Sequence, residues 1–246
     1  RAQGRIGPGC ARVTPLSGGV SNLVLRVDTA EQTFVLKQSR PQLRTRELWL
    51  SDVARIYREL EGMQALEPLL PAGTVPKVLF SDRPNFVFAM THAPENAQVW
   101  KSRLLAGEIE ADLGEQAGRV LGRLHQASAE RRGEFLAFAD DTVFAQLRTD
   151  PFYRRVLERR PEAARAIADL IEQLHDRKDA LCHGDYTPKN LLLHAGAFTL
   201  VDYETAYFGD PTMDLGLFLA HLTLKAFRAP QLLVLWQGLA GQVPRG

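Results

Sequence analysis

The chain is poor in cysteine: its 246 residues hold only Cys10 and Cys182. Thiols so far apart form neither a disulfide framework nor a zinc pattern, and their scarcity suits a reducing compartment. Charge of one sign is lacking too. Thirty basic residues against 29 acidic leave a formal net charge of +1, so nothing suggests nucleic-acid binding by bulk charge. The longest apolar run, residues 215–224, contains His221 and falls far short of a membrane span. No secretory leader, internal repeat or low-complexity tract is visible, and the opening Arg1 reads as the start of a trimmed chain. The expectation is a cytoplasmic protein without membrane or nucleic-acid partners. What remains is ordinary globular composition, 45% hydrophobic and 24% charged, in a length that suits one large domain or two lobes sharing a seam.

The patterning changes character near residue 90. Residues 23–27 (LVLRV) and 33–37 (TFVLK) are strand-like runs across a polar turn, and 78–80 and 86–90 read as further strands. Between them Ser51-Asp52 can cap a helix with Val53, Ile56, Tyr57, Leu60 and Met63 on one face, ending before Pro68. Residues 91–96 form a connector. Beyond it, Ile109 to Leu124 spell an amphipathic helix ending near His125. A second helix, 163–174, places Ala164, Ile167, Leu170, Ile171 and Leu174 on one side. Runs 191–193 and 199–201 form a small hairpin, and the chain is helical from Met213 onward. The fold class is therefore α+β, with a β-rich lobe over 1–90 and a mainly helical lobe over 91–246.

The densest polar constellation is His183-Gly184-Asp185-Tyr186-Thr187-Pro188-Lys189-Asn190, followed twelve residues later by Asp202-Tyr203-Glu204. Each block flanks a strand of the small hairpin, so both lie at hairpin ends, close in space. Asn and Asp oxygens there suit Mg²⁺, while Asp185 can take a proton from an attacking hydroxyl. Turns favour Asp, Asn, Gly and Pro for backbone reasons alone, which would account for any one of these residues but not for their joint spacing.

HGDYTPKN followed by VDYETAYFGDPTMDLG resembles the signature of the aminoglycoside phosphotransferase and choline-kinase-like family, small-molecule kinases with a two-lobed protein-kinase-like fold. The match runs through His183, Gly184, Asp185, Asn190, Asp202, Glu204, Gly209, Asp210, Pro211, Asp214 and Leu215. The resemblance implies ATP and Mg²⁺, with Asp185 as the base and Asn190 and Asp202 as metal ligands. His183 is then structural, Glu204 tunes a second metal or caps its loop, and Asp210 and Asp214 tie the loop to the next helix.

The same resemblance implies upstream parts. Ser17, Gly18, Gly19, Ser21 and Asn22 lie in a loop that fits the family's phosphate loop, although it is neither a Walker A sequence nor GxGxxG. Lys37 would meet the ATP phosphates. Glu59 and Glu61 both flank the apolar stripe of the first helix, and the family register selects Glu59 as partner of Lys37. Met90, Thr91 and His92 would bind adenine through the main chain, with Thr91 where family members commonly have Glu.

A metal-dependent phosphohydrolase could also gather His183, Asp185, Asp202 and Asp210, but would have no use for Lys37, Glu59 or a glycine loop. A catalytically silent nucleotide-binding scaffold would not need Asp185 and Asp202. For the acceptor, a hydroxyl-bearing small molecule that could be an aminoglycoside, a sugar-like alcohol or an amino alcohol, the pattern gives less. Residues 215–246 hold no Asp or Glu, only Lys225, Arg228 and Arg245 as charges, which argues against a polycationic aminoglycoside. Glu108, Glu110, Asp112 and Glu115 remain as acids and read as a solvated helix start. Residues 35–40 (VLKQSR) and 100–107 look like methylthioribose kinases, whereas the metal loop does not. A neutral or singly charged alcohol is the expectation.

Overall fold

Short apolar runs, with successive side chains on opposite faces, build the first layer of the computed structural model, which describes residues 9–16, 19, 21–46 and 48–227. Strands β1 (Arg12–Pro15), β2 (Asn22–Asp28) and β3 (Thr33–Ser39) are followed by helix α1 (Arg55–Leu66), β4 (Val78–Asp82) and β5 (Val87–Thr91). The strands form an antiparallel sheet in the order β1-β2-β3-β5-β4. In β3, Val35 packs with Ile56, Leu60 and Met63 of α1 in the main core, while Phe34 joins Val27 and Ala89 on the other face. Lys37 shares the parity of Val35 and so points toward α1.

The helix begins at Arg55, later than the expected cap. Ser51 Oγ is drawn away to Gln146 Oε1 at 3.0 Å, and the Asp52 carboxylate accepts from Ala54 N–H at 2.8 Å, leaving α1 without a side-chain cap. The end before Pro68 agrees with the expectation. β5 starts at Val87 because Phe86 takes a left-handed conformation (φ 51°).

Residues 92–97 lead to β6 (Gln98–Val99), α2 (Trp100–Leu105) and α3 (Ala111–Glu130). α3 runs past His125. Ser128 anchors its last turns, accepting from Leu181 N–H while donating to Leu124 O. A 3₁₀ segment, Arg132–Phe138, then leads into α4 (Thr142–Phe144), a π-helical stretch Ala145–Arg154 and α5 (Arg155–Arg159). Pro151 within the π stretch lacks an N–H and cannot keep a regular α ladder. None of this segment was legible as helix. α6 (Ala164–Asp176) follows, but of its apolar face only Leu174 is buried and Leu170 is 40% exposed.

The remainder comprises β7 (Ala180–Cys182), β8 (Leu191–His194), β9 (Ala197–Leu200), β10 (Tyr207–Gly209) and α7 (Thr212–Ala226). β8 and β9 form the small hairpin, with β6 on the far side of β8, and β7 pairs with β10. Trp100, Leu121, Leu124, Tyr186, Leu191 and Phe218 continue the main core beneath them. The chain between β3 and α1 reaches across to the helical part, where Leu43 packs on Val143 and Leu147 and Trp49 Nε1 donates to Gln146 O at 3.0 Å. Among the described residues no helix is long and apolar enough to cross a membrane.

Candidate active site

The site lies where the β8–β9 hairpin faces the sheet. On the sheet side, Lys37 is 4% exposed and donates to Glu59 Oε1 at 2.8 Å and to Asp202 Oδ1 at 2.5 Å. Glu61 points away and pairs with Arg83 at the surface. Burial would strip the Lys37 ammonium of its proton, but Asp202, Glu59 and Glu204 outweigh it and raise its pKa. Burial pushes the Glu59 carboxyl up to about 7 against the pull of Lys37. Burial also opposes ionisation of Asp202, yet Lys37 and Lys189 hold that carboxyl well below the usual range.

The β7–β8 loop carries the other half. Gly184 has φ 75°, and a Cβ there would stand 2.4 Å from Thr205 O, so only glycine fits this turn. Both oxygens of Asp214, at the start of α7, accept backbone N–H groups, from His183 at 2.7 Å and Gly184 at 2.8 Å. His183 Nδ1 accepts from Asp185 N–H and its Nε2 donates to Val201 O, each at 3.2 Å. Burial lowers its pKa, so the imidazole is neutral and spans the hairpin. Asp210 accepts from Thr212 N–H at 2.9 Å and pairs with Arg177, fixing the entry to α7.

Asp185 Oδ2 receives three donors: Asn190 Nδ2 at 2.9 Å, Lys189 Nζ at 2.8 Å and Arg148 Nη2 at 2.9 Å. Because Nδ2 of Asn190 is committed to Asp185, its carbonyl Oδ1 is the atom able to reach a cation. Together with the Asp202 carboxylate it offers oxygen ligands only, which fits Mg²⁺. Asp202 adopts φ 74° immediately after Val201, a left-handed turn that brings its carboxylate back toward Lys37.

Glu204 has a more definite place than the sequence allowed. It accepts from Ser21 Oγ at 2.5 Å, Asn22 Nδ2 at 2.8 Å and Arg55 Nε at 3.0 Å. The side chains of Ser21 and Asn22 are thus turned to Glu204. Arg55, 1% exposed, also donates to the carbonyls of Ser21, Arg40, Ser51 and Asp52, locking the start of β2 to α1. Neither Arg55 nor Arg148 was singled out from sequence, since no spacing marks an arginine whose partners are distant carbonyls and carboxylates. Gly19 is exposed, with open space around it, whereas Ser17 and Gly18 lie outside the described residues. Met90 pairs with Val35 and Thr91 with Phe34 along β3. Thr91 N–H is spent on Lys77 O at 2.9 Å, so the free main-chain positions begin at His92.

Against known proteins, residues 12–245 match the model of the phosphotransferase enzyme family (APH). The chain is 24% identical to a methylthioribose kinase of Exiguobacterium sibiricum over 92% of its own length and 64% of that protein's. It is 24% identical to the 4-hydroxytryptamine kinase of Psilocybe cyanescens, over 87% of this chain and 68% of that one. It therefore spans about two thirds of the length of these relatives. Among solved structures, the streptomycin–ATP–APH(2")-IIa ternary complex superposes with TM-score 0.58 at 17% identity, covering 95% of this chain and 80% of that one. A choline/ethanolamine kinase family protein from Mesorhizobium loti gives 0.55 at 21%, covering 97% and 71%. With a β-sheet region, a helical region and the family's model over nearly the whole sequence, this chain belongs to the phosphotransferase enzyme family and has its protein-kinase-like fold.

Proposed function

We infer that the protein transfers the γ-phosphoryl group of ATP to a hydroxyl of a small molecule. The observation that carries this is the convergence of Asp185, Asn190 and Asp202 on one side with the buried Lys37–Glu59 pair on the other. A phosphohydrolase would have no use for the second half of that arrangement. Residues 1–90 would form the nucleotide-binding lobe and 91–246 the catalytic and substrate lobe.

Lys37, held by Glu59, binds ATP phosphate oxygens, with Gly19 of the loop before β2 beside them and main-chain groups from His92 onward against the adenine. Asn190 Oδ1 and the Asp202 carboxylate would hold Mg²⁺, which when bound would offset charge on the transferred phosphoryl. Asp185 accepts the acceptor's proton as its oxygen bonds to phosphorus, and the bond from phosphorus to the ADP oxygen breaks. Lys189 and Arg148 hold Asp185 in place, and neutral His183 keeps its loop on the hairpin. Related proteins named as methylthioribose, 4-hydroxytryptamine and choline kinases support a small-molecule acceptor.

The test is ADP release by purified protein with Mg·ATP and a panel of hydroxyl compounds, with phosphorylated acceptor identified by mass spectrometry. Acceptor-dependent ADP release that is lost in Asp185→Asn is expected. Inorganic phosphate as the sole product, with no phosphorylated acceptor, would favour the hydrolase instead.

A further inference from the structure

Of the four acids around the start of α3 that a polycationic acceptor could use, three are engaged elsewhere. Glu108 and Glu110 both pair with Arg103, and Glu115 pairs with Arg119, all at the surface. Cations surround Asp185 instead. Lys189 and Arg148 touch it directly. Lys101 follows closely, because its N–H is bonded to Pro188 O at 2.9 Å and so ties the start of α2 to the Asp185 loop. From α7, His221 lies within electrostatic range of Asp185, Lys189, Lys101 and Lys225, and Lys225 Nζ donates to His221 O at 3.0 Å.

Lys225 is the unusual member of this group. It is 7% exposed, and among the described residues the charge that acts on it is another cation, Lys101. Among the described residues neither lysine has a carboxylate at ion-pair distance, and residues 215–246 contain no acid. An ammonium buried without a counter-ion costs stability, and a second cation beside it adds repulsion. An anion placed between them removes both costs.

We propose that the acceptor carries an anionic group, a carboxylate or a phosphate, bound by Lys101, Lys225 and His221 while its hydroxyl meets Asp185. This deepens the kinase reading and rests on it. Arg148 and Lys189 stay with Asp185, so the acceptor's charge is met by α2 and α7.

The test uses the full chain saturated with Mg·AMP-PNP, so that the nucleotide site is filled, and titrates glycerol 3-phosphate and glycerate calorimetrically against glycerol and choline. Binding of at least one anion, and of neither control, is expected. The stronger of the two anions identifies the group recognised. Lys225→Met and Lys101→Met should each weaken that binding about tenfold. The second of these changes an exposed side chain, so it reports on the site even if the buried substitution disturbs folding. Binding of neither anion, equal binding of glycerol or choline, or unchanged anion binding in both variants would overturn the inference. Failure to bind Mg·AMP-PNP at all would overturn the kinase reading, and this inference with it, and is seen before any acceptor is added.

Discussion

Lys37 Nζ stands 2.5 Å from Asp202 Oδ1 while holding Glu59 at 2.8 Å, so one buried ammonium joins β3, α1 and the turn after β9. Removing it leaves Glu59, fully buried, with no cation beside it. Lys37→Met should cost about 3–5 kcal/mol in urea unfolding, and Lys37→Met/Glu59→Leu should recover most of that. A single variant as stable as the parent would show that the pair is not structurally coupled.

Asp202→Asn keeps the side-chain shape and removes a charge from both Lys37 and the proposed metal. Turnover should fall by about 10²–10³-fold or more, with the circular dichroism spectrum unchanged. Near-parental activity at ordinary Mg²⁺ concentrations in a folded variant would argue against Asp202 as a ligand.

Arg148 donates to Gly184 O as well as pairing with Asp185, which makes it a positioning residue. Arg148→Lys keeps the charge and loses the two-point grip, so kcat should drop about tenfold while KM for ATP stays constant. A rise in KM for ATP alone would place Arg148 at the nucleotide instead.

Gly184→Ala combines a positive φ with a 2.4 Å approach to a backbone oxygen. A loss of roughly 2–5 kcal/mol is expected, read as a lowered Tm. A variant with unaltered Tm would mean that the turn adapts.

Lys225 has its pKa lowered by burial, and then by Lys101, to about 8 against an ordinary 10.5. Between those values the unfolded chain binds the proton that the folded protein has released, so stability rises with pH there. The full penalty stands below about pH 8. Without an anion present, Lys225→Met should therefore gain about 1–3 kcal/mol at neutral pH, and the gap should close toward pH 10.5 in urea titrations. A destabilised variant would reveal a counter-charge for Lys225. Stability set aside at this position is what a binding residue costs.

Some of these features could be seen in the sequence because their signals are local. The apolar runs LVLRV and TFVLK across a polar turn place β2 and β3, and once β3 is formed Lys37 shares the face on which Val35 packs. The spacing from His183 to Asp202 is a hairpin's length, so the two polar blocks had to meet. Arg148 is different. It sits in a π-helical stretch that has no 3.6-residue stripe, and its partner lies 37 residues beyond it in the chain. Arg55 at a helix start reads as a solvated cation until the carbonyls around it are folded into place. The apolar face of α6 misled in the other direction: periodicity described a buried stripe where only Leu174 is covered.

The tie between Lys37 and Asp202 also sets a clock for synthesis. The two residues are 165 positions apart, so at about 5–20 residues per second the ribosome supplies Asp202 roughly 8–33 s after Lys37. Over that interval Arg55 is already served by the carbonyls of Ser21, Arg40, Ser51 and Asp52, all within 34 residues of it. Lys37 has Glu59 alone. The nascent sheet thus emerges with its arginine and its lysine each lacking one carboxylate, and both ion pairs form only when Asp202 and Glu204 arrive after β9.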